Sequence, residues 1–183
     1  YYSEINNYKL GLSDEDAFKK IKLLMNELSI DENYLDVITP AIEKSEREGV
    51  PVVSLKLFKK RIITGKQTDL LTASSSVVLN AIKELSKIPD DINLLSPKVI
   101  EPILKMKSDL NLGCERLQLN EVLIALSICS ATNPMVELAI EKLKKLKYCE
   151  AHSTYMVNNG DLKALKSLKI NITCEPKFIS EIE

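Results

Sequence analysis

The sequence predicts an α/β fold: a three-layer α/β/α domain whose mixed sheet combines one hairpin with a parallel pair of strands. Three observations carry this. Val53, Leu55 and Leu57 alternate with Ser54 and Lys56, the period of a half-buried strand, and a second strand, RIITG, follows across a tight Lys59-Lys60 turn. Helical stretches are spread between the strands rather than segregated, the pattern of helices covering both faces of a sheet. The chain closes on strand, helix, strand, reading CEAHSTYMV, DLKALKSL and INITC. Such a crossover is right-handed and joins parallel neighbours.

The remaining elements follow in order. Ser13 and Asp16 have the form of a capping box, and Ala17, Phe18, Ile21, Leu24, Met25 and Leu28 recur behind them at helical spacing. LDVITPA reads as a short strand stopped at Thr39-Pro40, with Pro40 opening a polar helix that Gly49 closes. After the hairpin, Gly65 is expected to free the backbone for its swing into a long helix. Leu70, Leu71, Ser74, Val77, Val78, Ala81, Ile82 and Leu85 share one face of that helix. Its Ser74, Ser75 and Ser76 are small enough to let the helix sit close to a neighbour; a nucleophile or phosphate contact is the other reading.

INLL, between Pro89 and Pro97, has the length of a buried strand. A helix starts between Pro97 and Pro102 and ends near Gly113. The helix from Asn120 is apolar on almost every side, which places it at the centre of the core. Asn133-Pro134 ends it and caps the next, whose Lys142, Lys144, Lys145 and Lys147 suit a helix C-terminus. Asn159-Gly160 reads as a turn and Asp161 as the cap of the last helix.

Composition narrows the function classes. At 183 residues the chain suits a single domain, which at this size buries roughly 70% of its unfolded surface. A formal net charge of −1 supplies no basic excess for phosphate backbones, so nucleic acid is not the expected partner. No apolar run approaches the ~18 residues of a membrane span, and the strongest, VLIALSIC, is interrupted by Ser127. YYSEINNYKLG has neither the basic nor the apolar part of a signal peptide. A cytoplasmic location is therefore expected, and the lack of an initiator Met is expected of a piece of a longer protein. Cys114, Cys129, Cys149 and Cys174 form no Cys-x-x-Cys pair, so reduced and mostly buried thiols are expected.

Several chemistries fail on residue supply. His-Glu-x-x-His needs two histidines and the chain has one, His152. None of the five glycines opens a Gly-x-x-x-x-Gly-Lys loop. Cys149 and His152 stand at an odd separation, which puts them on opposite faces of one strand, whereas Cys174 on the next strand could approach His152. Three roles stay open for His152: a packed or hydrogen-bonded core residue, a ligand contact, or half of a Cys-His pair. Because it is flanked by Ser153 and Thr154, His152 is expected to border a polar cavity shared with Asn133 or Thr64.

TPA at 39–41, PVVSL and IITG within 51–65, LLSPKVIEPI at 94–103, EVLIALSICSATNP at 121–134, CEAHST at 149–154 and ITCEP at 172–176 carry a resemblance. In order, and over nearly the whole chain, they resemble uncharacterised protein family 0371, also known as domain-of-unknown-function family 1846. It is a bacterial family without assigned function. Where the family tends to have Asp-Gly at the hairpin turn, this sequence has Lys59-Lys60. The resemblance implies that the chain is the C-terminal domain of a longer protein. It implies a nucleotide bound by an absent N-terminal region, which in the family is similar to a nucleotide-binding α/β domain with a Gly-x-Gly-Lys loop. It implies no cofactor in this chain, and that N-terminal domain as a partner.

The element order also resembles cytidine-deaminase-like domains. The places that hold zinc there read TASSS and SPKVIEP here, so the likeness implies the scaffold without the deamination, and no metal is expected.

Two functions of different class follow. An enzyme domain, supplying the substrate side of a site between domains, should gather Thr64, Ser96, Asn133 and His152 around one cleft with a small-molecule ligand. A non-catalytic module for homo-oligomerisation or regulation should scatter them as caps and turns, which Asn133 before Pro134 and Ser96 before Pro97 would suit.

Overall fold

The hairpin forms as the alternation predicts. In the computed structural model, which describes residues 1–58 and 60–182, β1 (Val52–Lys56) pairs antiparallel with β2 (Ile62–Lys66). Lys59, half of the expected turn, lies outside the described residues, and Lys60 beside it has a left-handed φ of 63°. β3 (Glu150–Ser153) runs antiparallel along the other side of β1, and β4 (Asn171–Cys174) runs parallel to β3. The order across the mixed sheet is β2-β1-β3-β4. β3 is shorter than CEAHSTYMV because the chain leaves the ladder after Ser153, where the Thr154 hydroxyl accepts the Val52 N–H at 3.0 Å.

Register sorts the side chains onto two helical layers. Val53, Gly65 and Leu55 face α4 (Ala73–Ser86), which crosses β1 and β2. Behind α4 lie α6 (Leu119–Ser130), α7 (Pro134–Glu141) and α8 (Asn159–Ser167), with α5 (Pro97–Asp109) packed on α6. Ser54, Thr64, His152 and Thr173 face the other layer, made by α3 (Ile38–Glu48) over β1 and β3 and α1 (Tyr2–Lys9) over β4. α2 (Glu15–Glu27) packs on α1.

Gly65 serves this packing and not the turn into the helix. It sits within β2, and a Cβ there would collide with the backbone of Ser76 and Val77. The serine run has the bland role: Ser74 and Ser75 are fully buried, and Ser75 Oγ donates to Leu117 O at 2.9 Å.

Elsewhere tertiary context overrules local pattern. LDVITPA is not a strand; helix begins at Ile38, and Pro40 falls in its first turn, where the backbone N–H has no partner to lose. INLL is a chain of bends whose Leu94 and Leu95 are buried. A run this short carries no period that tells a strand from a buried loop. The strand that the likeness to cytidine-deaminase-like domains counted there is therefore missing.

Ser13 does not cap α2; its hydroxyl donates to Glu4 O at 3.4 Å, and Asp14 holds the cap position without a side-chain bond. α8 is capped by Asn158 rather than Asp161. α6 is buried on one side through Leu119, Val122, Ala125, Leu126 and Cys129, but Ile124 and Ile128 on its other side are 61% and 53% exposed.

Candidate functional site

His152 lies at the centre of β3 with its ring turned into the α1–α3 layer, fully buried. The parallel register sets Thr173 directly across from it, and Glu175, two residues further, on the same face. His152 Nδ1 lies 2.8 Å from Thr173 Oγ1, and Nε2 lies 3.1 Å from Glu175 Oε1. The Tyr2 ring stands edge-on to the imidazole, centroids 5.1 Å apart.

An ionised carboxylate only accepts, so Nε2 carries the proton directed at Glu175. A hydroxyl both donates and accepts, so Thr173 can serve Nδ1 in either charge state of the ring. Burial alone would raise the Glu175 carboxyl. The hydrogen bond and charge of His152, then the Tyr2 hydroxyl and Lys177, outweigh that and hold it below the usual carboxylate range. The result is an anion kept charged in a half-buried place, steadied by a histidine that itself has no exposed atom to offer a ligand.

Glu175 opens onto a cleft of about 380 Å³. Its walls are Ser45, Glu46 and Gly49 at the C-terminal end of α3, Thr154 after β3, and Lys177 and Glu181 after β4. This is the carboxyl edge of the parallel pair, where ligands of open α/β sheets gather. On its walls three glutamates and the C-terminal end of α3 face a single lysine, Lys177, so the cleft favours a ligand that presents hydrogen-bond donors or positive charge.

The other expected site residues go elsewhere. Thr64 shares the His152 face, but β1 stands between them, and Thr64 Oγ1 accepts from Lys44 Nζ at 2.9 Å. Asn133 caps α7 by accepting the Met135 N–H at 3.0 Å, on the far side of the sheet. Ser96 holds the cap position of α5 without a side-chain cap bond, and its N–H points to Cys129 Sγ. The polar cavity joining His152 to Asn133 or Thr64 does not form; the polar neighbours of His152 come from β4 and α1.

Cys174 on β4 stands opposite Ser153 on β3, so it alternates away from the face of His152 and Thr173, and a Cys-His pair is not built. Burial raises the Cys174 and Cys149 thiols, which suits inert cysteines. Among the described residues no three His, Cys, Asp or Glu side chains converge as a metal site would require. Among them, too, no helix is long and apolar enough to cross a membrane.

Sequence reasoning missed Thr173, Glu175 and Tyr2. ITCEP did hold a signal, since Thr173 and Glu175 stand two apart and must share a strand face. The missing step was the register that aims that face at His152.

Residues 33–182 match the family described as "Domain of unknown function DUF1846, C-terminal". The chain is 41% identical to a UPF0371 protein of Clostridium botulinum Eklund 17B over 99% of its length. It is 38% identical to one of Clostridioides difficile 630 and 37% identical to one of Clostridium tetani, again over 99% of its length. In each case it spans 38% of the relative's own length, so these relatives carry a further region. With most of its residues inside the family match and relatives this similar along nearly all of it, the chain belongs to the DUF1846 (UPF0371) family, a bacterial family of unknown function.

Proposed function

We propose that this domain holds one wall of a small-molecule site, with Glu175 as the contacting group and His152 as the residue that positions it. The carrying observation is the His152–Glu175 pair, braced by Thr173 and Tyr2, opening onto a cleft at the carboxyl edge of β3 and β4. The ligand class is a small polar molecule bearing an amine or hydroxyls. The further region of the full-length protein completes the site and, following the family resemblance, binds the nucleotide. The reading is of an enzyme acting in the cytoplasm, with this chain supplying the substrate side.

A thermal-shift screen of the full-length protein tests it, using amines, amino acids and sugars with and without magnesium ATP. A compound that stabilises the protein should lose its effect in Glu175→Gln and keep it in Lys144→Ala. Stabilisation that survives Glu175→Gln would place the ligand elsewhere and overturn the reading.

A second reading, homo-oligomerisation, has its own observation. Ile124 and Ile128 on α6 and Leu138 on α7 are each more than half exposed. Light scattering of Ile124→Asp/Ile128→Asp, against the unmodified full-length protein, should show a smaller native mass if this stripe joins copies.

A further inference from the structure

α2 is an amphipathic helix without a core. Ala17, Phe18, Ile21, Leu24, Met25 and Leu28 form its stripe, yet none of its residues is buried. Among the helices and strands of the described residues, α2 packs on α1 alone. That contact covers only one side of the stripe: Phe18 meets the Tyr8 ring at 5.1 Å, and Phe18, Ile21 and Met25 are half-buried. Leu24 and Leu28, one turn apart, remain 56% and 70% exposed, and Leu12 before the helix is 74% exposed. Beside the stripe, Met25 and Ile30 also border a recess of about 290 Å³ that is otherwise lined by the polar Lys22, Asn26, Asp31, Glu32 and Asn33. Contiguous apolar surface of this kind marks an interaction site.

The hairpin that carries this surface is fixed to the domain. Asn6 Nδ2 donates to Cys174 O at 2.9 Å, Lys9 pairs with Glu181 at 2.8 Å, and the Tyr2 ring packs edge-on against His152. α1 and α2 nevertheless precede the matched C-terminal family domain, which begins at residue 33, while the relatives align across them. The matched domain is described as C-terminal, so the further region of the relatives falls on the side of α1 and α2.

We infer that the open side of α2, Leu24 and Leu28 with the recess beside them, is the seat on which that preceding region of the same polypeptide docks. The occupant presents an apolar surface at its centre. The mixed charges of Lys19, Lys20 and Glu27 form the rim. This seat shares no residue with the cleft at Glu175.

Limited trypsin digestion of the full-length protein tests it, since Lys19, Lys20 and Lys22 offer cleavage sites along α2. The seated helix should resist, and Leu24→Glu/Leu28→Glu should raise the cleavage rate there by about tenfold or more at unchanged native mass. Hydrogen exchange of the unmodified full-length protein gives an answer independent of how the variant folds: amides around Leu24 and Leu28 should be protected. Rapid exchange there, rapid cleavage of the unmodified helix, or a variant whose native mass falls to a fraction would overturn the inference. The last result would assign the seat to a second copy.

Discussion

Two buried polar clusters lie on opposite faces of the sheet, and they are built to different ends. On the α3 face, His152 has a partner for each ring nitrogen, and the cluster ends at a cleft through Glu175. On the α4 face, Asp161 is fully buried in α8; it accepts the Leu119 N–H at 2.6 Å and the Asn158 amide at 3.1 Å. Ser74 and Tyr155 lie close enough to bear on its titration, yet neither hydroxyl has a partner of ordinary geometry. The two carboxylates shift in opposite directions. Burial dominates at Asp161 and raises it, whereas His152, Tyr2 and Lys177 overcome burial at Glu175 and lower it. Burial alone does not make a site: the cluster that reaches solvent is the candidate, and the closed one ties α6 to α8.

The closed cluster should dominate stability. Asp161→Ala strips the partner from the buried first N–H of α6 and from the half-buried Asn158 amide, and should cost about 3 kcal/mol in a urea titration. A cost near zero would mean that the junction of α6 and α8 is held by apolar packing alone. Thr173→Val should cost less, about 1–2 kcal/mol, because it orphans one ring nitrogen of His152 and leaves Glu175 in place. If it proves costlier than Asp161→Ala, the ranking of the clusters is inverted.

The pH dependences should oppose each other. The raised folded value of Asp161 means that the native state holds this proton more tightly than the unfolded chain does. That stabilisation is complete below the ordinary aspartate range and is lost as pH rises through the folded value. The lowered value of Glu175 does the reverse: its stabilisation is present above the ordinary glutamate range and lost as pH falls through the folded value. Urea midpoints across roughly pH 3 to 7 should lose the alkaline-side decline in Asp161→Asn and the acid-side decline in Glu175→Gln. Curves parallel to the unmodified protein in both variants would unlink the clusters from folding.

Tyr155→Phe should have the smallest effect, within about 0.5 kcal/mol, since it deletes a buried hydroxyl that has no partner to lose. A larger loss would reveal a bridging water between Tyr155, Ser74 and Asp161.

Much of the fold was legible because local patterns agreed with their surroundings. The alternation at Val53 to Leu57 became β1, the closing strand-helix-strand became β3, α8 and β4, and Asn133 became a cap. These outcomes need only a period or one short hydrogen bond, which neighbouring residues determine among themselves. LDVITPA and INLL failed because a short apolar run carries no period long enough to tell strand from buried helix or loop. The candidate site depended on more. His152 and ITCEP are visible in the sequence, but which strand lies beside which, and in what register, is a property of the whole sheet. A shift of one residue would have faced Cys174 toward His152 and turned Thr173 and Glu175 away. The residue types were set by the sequence; their meeting was decided by packing of α4, α8 and α1 around the sheet, because only that packing selects one register.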